Sequence, residues 1–318
     1  MKKILISDTF DTEGLEILKK NAEFEVVYSP GLTEEQLCAA VADADALIIR
    51  SASNVTEKVI ASAAKLSVIA RAGVGTDNID KKAAAAKNIL VMNAPGGNSV
   101  STAELAFGYM FALARCLPQA NASMQAGVWE KKKFAKGARI AGKTAAIIGL
   151  GRIGANLARR CKACDMDVIG YDPFLNDEQI SKMGVQPATL ETIWKTADFI
   201  SVHVPLTPET KAMISAKEIA MMKPTTRLIN CARGGIMDEQ AVAAAVKEGR
   251  LGGAAFDVYA EEPPKNSPLV GVENIILTPH LGASTVEAQI ETAIETAEEV
   301  ADFLQNGTIK NAVAAPSK

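Results

Sequence analysis

Residues Thr144 to Pro173, reading TAAIIGLGRIGANLARRCKACDMDVIGYDP, constrain the fold of this chain more than any other stretch. Gly149, Gly151 and Gly154 stand in G-x-G-x-x-G spacing, behind an apolar β-type run and ahead of a helical pattern with Ile153, Leu157, Ala158 and Cys161 on one face. This is a strand, a tight turn and a helix. The first glycine allows the turn, the second lets a pyrophosphate approach the backbone, and the third lets helix and strand pack closely. The helix N-terminus would then face the phosphates. A second β-type run, Asp167 to Tyr171, ends in Asp172, twenty-one residues beyond Gly151, where a ribose-binding carboxylate is expected.

A chain of 318 residues exceeds the usual size of one domain, so two α/β domains are expected. With 48% hydrophobic and 22% charged residues it has the balance of a soluble globular protein with a large core. The net charge of −3 and the lack of a long basic run argue against nucleic acid or an anionic membrane as the main partner. The opening MKKILISDTF meets Asp8 too soon for a signal peptide, and no apolar run has transmembrane length. Cysteines 38, 116, 161, 164 and 231 are too scattered for a disulfide scaffold and suit a reducing, cytoplasmic location. Cys161 and Cys164 form a C-x-x-C pair late in the fingerprint helix, where packing is the expected role. No metal is expected, since the only histidines, His203 and His280, lie far from that pair in sequence.

Ahead of the fingerprint, strand and helix patterns alternate: Lys3 to Ser7, Glu13 to Lys20, Phe24 to Tyr28, Glu34 to Ala42, Ala46 to Arg50, Glu57 to Ala64 and Leu66 to Arg71. Such alternation predicts a parallel sheet wrapped by helices. The breaker cluster Pro95-Gly96-Gly97 marks the first domain boundary. A long helix follows to about Cys116, and Gln119 to Gly142 reads as a less periodic, solvated charged loop containing Trp129 and Lys131, Lys132 and Lys133. Later patterns complete a doubly wound sheet, and a final helix, Thr285 to Leu304, is expected to return to the first domain.

Ligands of open parallel sheets bind beyond the carboxyl ends of the strands. Three chemical groups fall there: Arg233 after LINCA, Glu262 after AAFDV, and His280 after NIILT. Each also has an ordinary structural reading, as a surface ion pair, an exposed loop acid or a capped core histidine. Their convergence on one crevice favours chemistry.

The segments RAGVGTDNID, GLGRIG, VHVPLTPET, NCARGGIMDE, DVYAEEPP and PHLGAST resemble, in this order and over nearly the whole chain, the D-isomer-specific 2-hydroxyacid dehydrogenase family, and most of all its D-3-phosphoglycerate dehydrogenases. The resemblance implies two doubly wound parallel-sheet domains: a flavodoxin-like substrate domain from 1–97 plus 287–318, and a Rossmann NAD-binding domain from 98–286. It makes Arg233, Glu262 and His280 the catalytic trio. An imidazole, with an ordinary pKa of about 6.5, suits removal of a hydroxyl proton as hydride leaves C2. Glu262 would stabilise the imidazolium, and Arg233 would hold the α-carboxylate as a planar fork. The resemblance assigns the NAD cofactor to Gly149, Gly151, Arg152, Ile153, Gly154, Asp172, His203, Val204, Pro205, Cys231, Ala232, Asp257, Gly282 and Ala283. His203, in VHVP, falls on the adenine and ribose side, and Cys231 and Asp257 near the nicotinamide. The small anionic substrate is assigned to Arg50, Gly73, Val74, Gly75 and Asn98.

The expected reaction is oxidation of 3-phosphoglycerate to 3-phosphohydroxypyruvate, the first step of serine biosynthesis. The alternatives are a broader glyoxylate or hydroxypyruvate reductase and, from another class, a nucleotide-sensing corepressor-type module. The resemblance also implies a homodimer in which the lysines after Trp129 reach the neighbouring subunit's site. Because the chain stops fourteen residues after Leu304, the expectation is a catalytic unit without serine feedback.

Overall fold

The computed structural model describes residues 1–314, so the last four residues of the expected C-terminal segment lie outside the described residues. The chain divides into two compact units, one made of Met1–Asn98 with Ala283–Lys318 and the other of Ser99–Gly282.

The first unit opens with four β-α repeats and a fifth strand: β1 Lys2–Ile6, α1 Thr12–Lys19, β2 Phe24–Tyr28, α2 Glu34–Val41, β3 Ala46–Ile49, α3 Glu57–Ser62, β4 Val68–Arg71, α4 Lys81–Ala86 and β5 Leu90–Asn93. Short apolar strands alternate with capped helices; Thr33, for example, forms a capping box with Gln36 at the start of α2. Every pairing among β1 to β5 is parallel, in the order β5-β4-β3-β1-β2. That is the flavodoxin-like order, with its switch point between β1 and β3. The period of two sends Leu5 to one face of the sheet and Ile4 and Ile6 to the other, and both faces are covered.

The second unit runs through α5 Ser99–Arg115, α6 Leu117–Gln125, α7 Lys131–Phe134, β6 Thr144–Ile148, α8 Arg152–Ala163, β7 Asp167–Tyr171, α9 Asp177–Lys182, β8 Gln186–Pro187, α10 Leu190–Thr196, β9 Phe199–Val202, α11 Ala216–Ile219, β10 Arg227–Asn230, α12 Glu239–Lys247, β11 Gly253–Phe256 and β12 Ile275–Leu277. Its seven strands are parallel throughout, in the order β12-β11-β10-β9-β6-β7-β8. The order reverses between β6 and β9, which opens a crevice at their carboxyl ends. Ala145 and Ile147 pack with Tyr109, Met110 and Leu113 of α5 and Leu157 and Cys161 of α8, while Ala146 and Ile148 face the opposite layer with Trp194 and Val242.

The chain then returns to the first unit through α13 Val286–Asn306 and β13 Ala312–Ala314. The long α13 packs chiefly along α1, with Ala293, Ala297 and Val300 in the core that holds Ile4 and Ile6. β13 adds an antiparallel strand beside β5, blunting an otherwise open sheet edge.

One expectation is corrected. Gln119 to Gly142 is not simply a charged loop, because it contains most of α6 and all of α7. Cys116 takes a left-handed conformation that ends α5, and Pro118 then sits in the first turn of α6. Neither short helix buries a residue, so neither carries the apolar stripe from which a helix is recognised. Among the described residues no single helix is long and apolar enough to cross a membrane; α5 and α6 reach that length only as a pair bent by 65°.

Candidate functional site

The crevice at the carboxyl ends of β6, β7 and β9 has the shape a dinucleotide needs. Gly149 has φ +91°, and a Cβ there would lie 2.5 Å from the His203 carbonyl oxygen. A Cβ on Gly154 would lie 2.0 Å from the Gly149 carbonyl oxygen, so α8 is drawn against the turn closely enough to exclude any side chain. Gly151, by contrast, faces open space, which leaves the backbone at the head of α8 approachable by a phosphate. Arg152 and Ile153 form the first turn of α8. At the end of β7, Asp172 accepts from the Leu150 N–H at 2.8 Å and from the Phe174 N–H at 2.9 Å. Its carboxylate is thereby fixed beside the glycine turn. The residues present fit NAD(P).

The other residues assigned to the cofactor divide into rim and support. Val204 and Pro205 continue from His203 past β9 at the rim. The His203 ring pairs through Nε2 with Ser201 Oγ at 2.8 Å, while burial pushes its pKa down to about 4 and Nδ1 has no partner among the described residues. A half-buried imidazole held neutral is a poor proton shuttle. Cys231 and Ala232 are buried after β10, and burial raises the Cys231 thiol well above its ordinary range. Asp257, fully buried after β11, accepts from the Leu281 N–H and the Gly282 N–H, each at 2.7 Å. Its carboxylate supports the loop that carries His280.

Arg233, Glu262 and His280 follow β10, β11 and β12, three neighbouring strands. Asn230 fixes the turn of Arg233 by donating to its carbonyl at 2.9 Å and accepting from the Ala232 N–H at 3.0 Å. The Arg233 guanidinium donates through Nη1 to the Ala232 carbonyl at 2.6 Å. Glu262 accepts from the Tyr259 N–H through Oε1 at 3.1 Å, and its Oε2 lies 2.7 Å from His280 Nδ1. Against an acceptor carboxylate, Nδ1 is the protonated nitrogen, and Nε2 of a neutral ring is left with its lone pair. His280 itself has φ +55°, a conformation few non-glycine residues adopt outside functional sites.

The assigned substrate residues lie in the first unit. Arg50 follows β3 in a turn whose amides bind the buried Asp8 carboxylate, from Arg50 N–H at 2.5 Å and Ser53 N–H at 3.1 Å. Asn78 closes that turn by donating to the carbonyls of Arg50 and Ser53. The Gly73–Gly75 loop follows β4 and is tied down by Asn93, which donates to the Val74 carbonyl at 2.6 Å. Asn98 is buried at the unit's boundary, and Ala283 falls in this unit too. Sequence reading missed Arg71, whose guanidinium lies so close to Gly73 that a Cβ there would be 2.5 Å from Nη1. Its place at the carboxyl end of β4 was the available signal. Lys131, Lys132 and Lys133 form most of α7, and Lys133 makes exposed ion pairs with Glu130 and Glu273, each at 3.7 Å.

Comparison with known proteins identifies the family. Residues 107–282 match the family described as D-isomer specific 2-hydroxyacid dehydrogenase, NAD binding domain. The whole chain is 47% identical over 318 residues to a D-3-phosphoglycerate dehydrogenase of Methanocaldococcus jannaschii, and spans 60% of that relative's length. Among solved structures, the TT0316 protein of Thermus thermophilus aligns with a TM-score of 0.88 at 30% identity, covering 98% of this chain and 100% of that one. The NAD complex of a Staphylococcus aureus NAD-dependent formate dehydrogenase aligns with a TM-score of 0.85 at 25% identity, over 100% of both chains. The family match, the glycine crevice and the fixed carboxylate of Asp172 agree on an NAD(P) cofactor. The chain belongs to the D-isomer specific 2-hydroxyacid dehydrogenase family, and Ser99–Gly282 holds its NAD-binding domain.

Proposed function

We propose that this chain is an NAD-dependent dehydrogenase of D-2-hydroxy acids and that it oxidises 3-phosphoglycerate to 3-phosphohydroxypyruvate. The observation that carries the reading is the His280–Glu262 pair, 2.7 Å apart beyond β11 and β12, with Arg233 beyond the adjacent β10. Naming the substrate rests on the D-3-phosphoglycerate dehydrogenases to which the chain is 47% identical, about six-tenths of whose length it spans.

In this reading Ser99–Gly282 binds NAD⁺ and the first unit binds substrate through Arg50, Gly73, Val74, Gly75 and Asn98. Bound NAD⁺ supplies the hydride acceptor for the C2 hydrogen. His280 Nε2 removes the C2 hydroxyl proton, and Glu262 stabilises the imidazolium that results, through the Nδ1–H it already accepts. In the reverse direction the imidazolium returns that proton to the developing alkoxide. Arg233 offers a permanently charged fork for the α-carboxylate and the C2 oxygen.

The test mixes the purified protein with NAD⁺ and 3-phosphoglycerate and follows NADH absorbance, beside a panel of unphosphorylated 2-hydroxy and 2-keto acids. The expected result is the highest kcat/KM with the phosphorylated substrate. A preference for glyoxylate or hydroxypyruvate overturns the substrate, and no turnover at all overturns the enzyme.

A homodimer belongs to the same proposal. Trp129 is 75% exposed beside Met124 and Val128, and an apolar groove of about 380 Å³ runs between them and Phe134. So much exposed apolar surface favours a covering partner, and a second copy is the proposed one. Sedimentation velocity should give a dimer that Trp129→Glu dissociates.

A further inference from the structure

Thr278 precedes His280 by two residues, and all its polar atoms are engaged within Ser99–Gly282. Its N–H donates to the Phe256 carbonyl at 3.0 Å. Its carbonyl accepts from the His280 N–H at 3.0 Å and from the Tyr259 hydroxyl at 2.9 Å. Its hydroxyl bridges Tyr109 of α5 and the Asp257 carboxylate.

The direction of the bridge follows from chemistry. Asp257 takes the Leu281 and Gly282 N–H groups and, as an acceptor, takes the Thr278 proton as well. Thr278 Oγ must therefore accept from Tyr109, whose hydroxyl burial keeps protonated well above the ordinary phenol range. Tyr109 is only 4% exposed, so losing this acceptor would strand a buried hydroxyl. The residues on both sides of His280 are thus tied to one buried carboxylate and one core helix. His280 meanwhile holds its left-handed backbone at φ +55°. A conformation that is costly by itself persists only where its surroundings over-determine it.

We propose that Thr278, clamped between Tyr109 and Asp257, is the positioning residue that holds His280 in register with Glu262. The inference rests on the proposed dehydrogenase reading for its kinetic arm alone. Without the clamp the loop relaxes, and a displacement near 1 Å at the imidazole is enough to cost up to about a hundredfold in rate.

The experiment compares Thr278→Val, Thr278→Ser and Tyr109→Phe in the full chain. Steady-state kinetics are measured together with NADH affinity, and ¹⁵N NMR follows the imidazoles of the only two histidines. Thr278→Val should lower kcat by about tenfold to a hundredfold and Tyr109→Phe by about fivefold, with NADH affinity within about twofold of wild type. Both should weaken the hydrogen-bonded Nδ1–H signal of His280, as its carboxylate partner is loosened, while the His203 signals stay put. Thr278→Ser, which keeps the hydroxyl, should restore both readouts. The double variant should be little worse than Thr278→Val, because both changes break one bridge. If Thr278→Val leaves kcat and the His280 Nδ1–H signal at wild-type values, or if Thr278→Ser fails to restore them, the proposal is overturned. If the wild type turns over no substrate, the dehydrogenase reading fails, and the His280 Nδ1–H signal still decides the clamp.

Discussion

His280 holds an unfavourable backbone conformation just beyond a short strand, and its one observed side-chain partner among the described residues is Glu262. His280→Ala should lower kcat by roughly 10²- to 10⁴-fold with NADH affinity nearly unchanged, because it removes the proposed proton transfer and leaves the nucleotide crevice intact. His203→Ala should do far less to kcat, since desolvation holds that imidazole neutral at a pKa of about 4. Steady-state kinetics and NADH titration of the two variants check the pair, and a reversal would reassign the base. Asp172 fixes a carboxylate beside the glycine turn through two backbone amides. A 2′-phosphate brought within about 4 Å would meet roughly 4 kcal/mol of repulsion per charge pair at an effective dielectric near 20. NAD⁺ should therefore be preferred over NADP⁺ by at least about a hundredfold in kcat/KM, a ratio measured directly with saturating 3-phosphoglycerate.

At the scale of an element, the β6-turn-α8 unit leaves no room for adjustment. The Cβ of Gly154→Ala would sit 2.0 Å from the Gly149 carbonyl oxygen, a backbone atom that cannot swing aside. Helix α8 would have to retreat from β6, opening the turn and burying its core face less well. Destabilisation of about 1–3 kcal/mol or more is expected, together with weaker NADH binding. Differential scanning calorimetry with and without NADH separates the two effects; a variant with wild-type melting and affinity would show that the close packing is not required. Helix α8 was legible from sequence because Leu157, Ala158 and Cys161 repeat on one buried face. Helices α6 and α7 bury nothing and were not.

At the scale of the whole molecule, acid stability is linked to how the returning segment is fastened in the first unit. Glu299 on α13 is 3% exposed and accepts from the Asn311 side chain beside β13. Burial raises its pKa from 4.5 to about 7, with nearby Glu295 adding to the rise and Asn311 and Lys310 opposing it. A carboxyl that binds its proton more tightly when folded contributes stability that is fully present below its unfolded pKa and is lost as pH rises through the folded one. The first unit should accordingly lose stability from this group between about pH 4.5 and 7. Glu299→Gln should remove that loss, matching wild type near pH 4.5 and melting a few degrees higher at pH 8. Melting curves over this range test it, and parallel curves for the two proteins would refute it. The sequence by itself determined the β-α alternation, the nucleotide fingerprint with Asp172, and the strand-end positions of Arg233, Glu262 and His280. Those features depend on neighbours in the chain: periodicity, turn chemistry and the rule that ligands meet strand ends. Only the tertiary structure decided that Asp257 turns inward to the His280 loop, that Tyr109, 169 residues before Thr278, reaches its hydroxyl, and that Arg71 lies against Gly73. Hydrogen bonds and close contacts between residues distant in sequence exist only once the sheet order is set, and no local pattern encodes them.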